Sequence, residues 1–286
     1  MSVLKEDFLK SPLNYIGGKY KMLPQLYKFF PKSIHTFVDL FAGGLDVAIN
    51  ITANEIYCND INHYVIGIYE AFQKYTIDEL LDYIDSTISS RQLSMTNKEA
   101  YLAFRDEYNR TKNPLDLYIL VCYSFNYQFR FNSRHEYNNP FGRDRSSFNP
   151  NMRKNLIRFH EKIKNMNFQS MNFKNYPIDG LGAGDFVYAD PPYLITCGAY
   201  NDGKRGFEGW SKDDDAALFE MLDRLDERGV KFALSNVSEH KGVKNEPLIS
   251  WKRKYHTHKI NYNYNNSNYQ STSKNSITKE ILVTNY

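Results

Sequence analysis

The stretch from Thr36 to Asp60 constrains the fold more than any other part of the chain. Thr36-Phe37-Val38-Asp39-Leu40 is a short apolar run that ends in the turn Phe41-Ala42-Gly43-Gly44. A helical stretch from Leu45 to Ile51 is expected next, then a second strand at Glu55–Asn59 that ends on Asp60. Strand, glycine turn, helix and strand make one βαβ unit, the building block of parallel α/β sheets with helices on their faces. The pattern returns from about Phe168. Asp185–Ala189 reads as a buried strand, Asp213–Arg228 as a helix capped by Ser211 and stopped by Gly229, and Val230–Leu234 as a further strand. The tail Ile260–Asn275 is rich in Asn, Tyr and Ser, but Glu280–Thr284 has a strand signature that pulls it back onto the sheet.

Between these zones the character changes. Tyr75–Ser90 and Thr96–Tyr108 carry apolar residues at helical spacing, and Leu115–Phe125 reads as a third, buried helix. Asn126–Asn151 is polar, with little apolar periodicity, and reads as a long loop or hairpin; such segments are commonly functional. The chain therefore divides into a discontinuous α/β domain (1–74 and 165–286) and an insertion (75–164). Arg130, Arg134, Arg143, Arg145, Arg153, Lys154 and Arg158 concentrate positive charge in the insertion. The whole chain has only 36 Lys+Arg against 33 Asp+Glu, so it is no polybasic binder, yet a local patch can still meet phosphates. Its 23 Tyr and 19 Phe often stand beside Asn and Arg, as in Phe125–Asn132. Core packing accounts for them, and so does a surface that stacks bases.

Several classes drop out. Cys58, Cys122 and Cys197 are far apart, without a C-x-x-C pair, which argues against disulfides or a thiolate zinc site and for a reducing compartment. Met1–Lys10 has no apolar signal region, and Leu115–Phe125 is far short of the roughly 20 residues that span a bilayer. A cytoplasmic protein without membrane or metal is expected. His256 and His258 have no evident third ligand, and the basic stretch Trp251–Lys259 reads as a solvated face rather than a phosphate patch.

Two features carry chemistry. At Phe41–Gly44 a strand turns toward a helix, where glycines let backbone approach a ligand closely; a turn made for packing alone looks the same. It is not a full G-x-G-x-x-G dinucleotide fingerprint. Asp60, at the tip of the next strand, is where an α/β sheet holds a ribose diol, or else it caps the following helix. The stronger feature is Asp190-Pro191-Pro192-Tyr193. Two prolines cannot continue a parallel ladder or sit inside a helix, so they fix the preceding carboxylate at the carboxyl edge of the sheet, where open α/β folds bind ligands. An exocyclic amine has two N–H donors; Asp190 can accept one and the Pro191 carbonyl the other, while Tyr193 stacks on the ring.

The order of Asn14-Tyr15-Ile16-Gly17-Gly18-Lys19, Asp39–Gly44, Asp60, Pro140–Arg143, Asp190–Tyr193, Leu234–Asn236 and Lys279–Val283 resembles the Dam-type DNA adenine-N6 methyltransferases. The resemblance implies a Rossmann-like methyltransferase sheet with helices on both faces, interrupted by a helical and β-hairpin DNA-recognition domain. It implies S-adenosylmethionine as cofactor, duplex DNA as partner, a flipped adenine within GATC as target, and a possible companion restriction endonuclease; the enzyme would be a monomer or weak dimer. Tyr15, Lys19, Asp39, Phe41, Gly43, Gly44, Asp60, Phe173, Asp190 and Tyr200 would then bind the cofactor. Asp190, Pro191, Pro192 and Tyr193 would form the catalytic signature. Arg130, Asn132, Asn126, Gln128, Pro140, Arg143 and Arg145 would meet DNA, with Arg130 as a base reader and Arg143, Arg145 and Arg153 on phosphates. Leu45 stands where the commonest glycine turn has its last glycine, matching a phage-like G-G-L variant. A nicotinamide oxidoreductase explains neither the prolines nor the insertion, and an intact signature argues against a silent DNA-binding module. Cytosine N4, RNA or protein glutamine remain as alternative acceptors.

Overall fold

The computed structural model describes residues 8–196, 209–261 and 278–286. Thr36–Asp39 (β1) and Glu55–Asn59 (β2) pair in parallel, with Phe37 opposite Ile56 and Asp39 opposite Cys58. Met166–Gln169 (β3), Phe186–Ala189 (β4) and Lys231–His240 (β5) extend the parallel region. Val243–Lys244 (β6) pairs antiparallel with β5 beside the main path of the sheet. Thr278–Thr284 (β8) inserts antiparallel between β5 and His256–Ile260 (β7), giving the order β3-β2-β1-β4-β5-β8-β7. The last strand thus returns to the sheet, as its apolar signature requires.

Alternate strand residues feed two cores, as the period of two demands. Phe37, Cys58, Phe186, Tyr188 and Leu282 face one cluster, while Val38, Leu40, Val187, Ala189, Phe232, Ile281 and Val283 face the other. After the short helix Leu23–Leu26 (α1), the first face is covered by His63–Lys74 (α2), Ile77–Ser90 (α3), Lys98–Thr111 (α4), Pro114–Tyr123 (α5) and Pro150–Ile163 (α6). Lys212–Glu227 (α7) and Glu246–Trp251 (α8) cover the second. The result is a mostly parallel sheet flanked by helices. Every residue from Leu115 to Tyr123 in α5 is buried, which explains why that segment is apolar apart from Asp116, whose carboxylate accepts from the Tyr83 hydroxyl. The N-terminus of α7 carries the expected Ser211 cap, in a reciprocal capping box with Asp214.

One expectation changes. The stretch after the glycine turn is not an α-helix; only Ala48–Asn50 forms a 3-10 turn. Gly43 (φ +45°) and Leu45 (φ +63°) both take left-handed backbone, which cannot propagate a right-handed helix. The basic residues Arg153, Lys154 and Arg158 lie on α6, because Asn149 caps a helix that starts at Pro150 and buries Leu156, Phe159 and Ile163. Part of the basic stretch after Trp251 is strand β7, where His258 stacks on Phe29 with ring centroids 4.0 Å apart.

Candidate active site and nucleic-acid face

Asp190 follows directly on β4, with Pro191 buried beneath it and Pro192 exposed. The loop Asn14–Lys19 crosses above this edge. Gly17 takes φ +84°, and a Cβ on Gly18 would stand 2.6 Å from Asp46 Oδ2, so this approach demands glycine. It delivers Lys19 into the sheet edge, where its ammonium lies 2.6 Å from Asp190 Oδ2 and donates to the Gly17 carbonyl at 2.9 Å. Burial opposes the Lys19 charge, but Asp190, Glu280 and Asp46 outweigh it and hold its pKa above the usual lysine value. Tyr193 turns its hydroxyl toward Asp190 Oδ1 (2.9 Å) and Glu280 Oε1 (3.1 Å), and the Lys19 ammonium lies 5.3 Å from its ring centroid.

Around β1 and β2 the chain builds an acidic floor. Asp60 is buried and is not a helix cap; α2 is capped by Asn62, whose Oδ1 accepts from Tyr64 N–H. Each Asp60 oxygen instead accepts one backbone N–H, from Gly43 and from Asn62, both at 2.8 Å. Burial still raises its carboxyl above the usual range. The Tyr15 ring lies on the Gly43–Gly44 turn, where a Cβ on either glycine would stand 3.0 Å from a Tyr15 carbon. Tyr69 locks the turn from below by donating to the Gly43 carbonyl at 2.6 Å.

Asp39 is 2% exposed, and its Oδ1 has no hydrogen-bond partner. Burial drives its carboxyl well above the usual range, and the nearby charges of Asp190 and Asp60 push it the same way. A buried orphan oxygen among acids fits a cationic ligand. The cost falls on stability: the folded chain holds this proton more tightly than the unfolded chain. Stability from this group is therefore full below the ordinary carboxylate range and declines as pH rises toward the elevated folded value. Asp39→Asn should flatten that decline in thermal unfolding across pH. An unchanged pH profile would show that Asp39 is not the group responsible.

Phe173 is buried in a short 3-10 turn capped by Asn172. It meets Phe41 and Trp210 at centroid distances of 5.4 and 5.3 Å, forming an aromatic wall beside the Asp60 strand end. The structure thus brings together Tyr15, Gly43, Gly44 and Asp60, sets Phe41 on Phe173, and joins Lys19, Asp190 and Tyr193. Tyr200, the remaining residue of this group, lies outside the described residues.

The segment from Ser124 to Phe141 is an irregular hairpin held by isolated bridges, Ser124–Phe141 and Phe131–Tyr137. Phe129 and Phe131 point inward: Phe129 meets Tyr15 at 5.8 Å, and Phe131 stacks on Tyr64 at 4.4 Å. That alternation leaves Arg130 exposed between them. Arg143, Arg145, Asn126 and Pro140 are exposed as well, with the Arg145 guanidinium 5.3 Å from the Phe125 ring centroid. Asn132 and Gln128 are half-buried. The Asn132 amide is committed to its own turn, accepting from Arg134 N–H and Glu136 N–H and donating to Glu136 Oε2. The Gln128 backbone carbonyl accepts from the Tyr137 hydroxyl. Arg153, on α6, pairs with Asp85 and packs over Phe148.

Residues 15–275 match the profile of the family described as D12 class N6 adenine-specific DNA methyltransferase. The chain belongs to this family. It is 49% identical over 282 residues to the type II methyltransferase M.FokI of Planomicrobium okeanokoites, and 48% identical over 285 residues to the modification methylase StsI of Streptococcus sanguinis. Each match covers 98% of this chain but 43% of the relative, so the chain spans less than half the length of these two proteins. The DNA adenine methylase of Escherichia coli K12 is 29% identical over 234 residues, covering 78% of this chain and 79% of that one. Among the described residues no cluster of three His, Cys, Asp or Glu side chains could hold a metal ion, and no helix is long and apolar enough to cross a membrane.

Within this D12-class chain, sequence reasoning assigned no role to Glu280, Trp210 or Asp46. Glu280 is a charged residue in a strand whose next four residues are buried, and that mismatch was its signal. Trp210 is the residue before the Ser211 cap, and its indole N–H donates to Asp215 Oδ1 at 2.7 Å; only the tertiary fold brings it to Phe173.

Proposed function

We propose that the chain transfers a methyl group from S-adenosylmethionine to N6 of a flipped adenine in duplex DNA, as the modification component of a restriction-modification system. The observation that carries this reading is Asp190, held at the sheet edge by the Lys19 ion pair and by two following prolines, beside the buried carboxylates of Asp39 and Asp60 and the Gly43–Gly44 turn. S-adenosylmethionine, when bound, supplies a methyl group on a positively charged sulfur. Asp39 and Asp60 fit its cationic and ribose parts, and Phe41, Phe173 and Trp210 fit its adenine. The lone pair of adenine N6 is delocalised into the ring, which makes it a poor nucleophile. Asp190 Oδ1 and the Pro191 carbonyl accept its two N–H groups and return electron density to nitrogen, while Lys19 fixes Oδ2 so that the acceptor does not rotate away. Positioning and fixed dipoles supply the acceleration. Unstacking the base costs a few kcal/mol, offset by contacts of the hairpin and by stacking on Tyr193.

Exposed Arg130 is suited to bidentate contact with guanine. Arg130→Ala should relax discrimination at one base pair by about 1–3 kcal/mol, read by comparing rates on duplexes substituted at each position. Arg143 and Arg145 are suited to phosphates, so their alanine variants should weaken all duplexes alike and reduce the salt dependence of binding.

The reaction is tested by incubating the chain with unmethylated plasmid and labelled donor, then digesting to nucleosides. Label in N6-methyladenine is expected, with mapped adenines in one short motif, GATC being the expectation from the family resemblance. Label in N4-methylcytosine, or in RNA offered alongside, would overturn the reading.

A further inference from the structure

The Tyr193 hydroxyl has one proton and two carboxylates within reach, Asp190 Oδ1 at 2.9 Å and Glu280 Oε1 at 3.1 Å. A phenol donates one hydrogen bond at a time, so the two acceptors compete for it. The other Asp190 oxygen, Oδ2, is held by Lys19 at 2.6 Å. An incoming amine is therefore expected at Oδ1, where the Tyr193 hydroxyl already takes one of that oxygen's two acceptor positions and crowds the other. Glu280 reaches the cluster from a different element, β8, is 2% exposed, and adds its field to that of Asp190 at the Lys19 ammonium. Burying a carboxylate is costly unless it is paired, and the Tyr193 hydroxyl is among its partners here, with the Lys19 cation in its field.

We propose that Glu280 is a positioning residue: it takes the Tyr193 hydrogen bond when a substrate amine arrives, and so releases Asp190 Oδ1 to accept from that amine. This rests on the reading of Asp190 as the acceptor of the target N6–H. No covalent bond changes in the exchange; the phenolic proton stays on its oxygen and turns from one carboxylate to the other. Because both acceptors are carboxylates, the swap is closely balanced. An amide at position 280 is a weaker acceptor than a carboxylate, and would leave the hydroxyl on Asp190 in competition with substrate.

The test is a double-mutant cycle with wild type, Glu280→Gln, Tyr193→Phe and the double variant, each checked for folding by circular dichroism. Glu280→Gln should lower kcat by about tenfold, with KM for DNA within about twofold of wild type. In the Tyr193→Phe background the same change should alter kcat by less than about twofold, since no hydroxyl then competes for Asp190 Oδ1. Equal losses in both backgrounds would give Glu280 a role independent of that hydroxyl, and no loss in either would give it none. Either result overturns the inference and leaves the reading of Asp190 standing, which depends on wild-type transfer to adenine and on the Asp190→Ala variant. Failure of the wild type to methylate adenine would bring down that reading, and the inference with it.

Discussion

Replacing Asp190 with alanine is expected to lower methyl transfer by about 10²–10³-fold or more, while duplex binding stays within about threefold of wild type. In the proposed mechanism the carboxylate acts on the reacting nitrogen, whereas the exposed residues Arg130, Arg143 and Arg145 are assigned to binding. The loss should therefore fall on kcat rather than on affinity. Initial rates under saturating donor and DNA, with fluorescence anisotropy for binding, separate the two. Asp190→Asn keeps one acceptor oxygen but loses the charge that pairs with Lys19, so its rate should fall between wild type and alanine. Near-normal methylation by the alanine variant would remove the mechanism.

The second large effect is on stability. Lys19→Met deletes the ammonium that sits 2.6 Å from Asp190 and within the field of buried Glu280. Breaking such a pair from one side leaves carboxylates unpaired in a poorly solvated site, at a cost of about 3–5 kcal/mol. Lysine keeps the longer, apolar stem that methionine largely replaces, so the loss is electrostatic rather than steric. The sign with pH follows from the raised folded pKa of Lys19. Its contribution is fully present below the ordinary lysine pKa, hence at neutral pH, and is lost as pH rises through the elevated folded value. Urea unfolding of wild type and Lys19→Met at neutral pH measures the difference; a loss below about 1 kcal/mol would mean the pair acts as a solvated surface ion pair.

The parts of the fold legible in the sequence are those where one local rule suffices. Strand β2 falls at Glu55–Asn59, and α5 and α7 lie where apolar content and the Ser211 cap put them. The stretch after Gly44 was not legible, because Leu45 takes a left-handed backbone that its residue type disfavours and only the packed turn enforces. The segment of helix α6 was given no element in the sequence, because Arg153, Lys154 and Arg158 mask the helical spacing of Leu156, Phe159 and Ile163. At the site, the Asp190 signature could be read because two prolines after a strand leave little local freedom. Glu280 could not be given a role, since its partners Tyr193 and Lys19 lie 87 residues away or farther along the chain and meet it only through the antiparallel insertion of β8. The commitment of the Asn132 amide to its own turn likewise appears only in three dimensions.

The most direct test of the central claim is a crystal structure of the chain with a specific duplex and a non-reactive analogue of the methyl donor. The account predicts an adenine swung out of the helix, with N6 in hydrogen-bond contact with Asp190 Oδ1 and the Pro191 carbonyl, and the donor held by Asp39 and Asp60. A target base stacked in the duplex, or a donor bound away from Asp39 and Asp60, would contradict it.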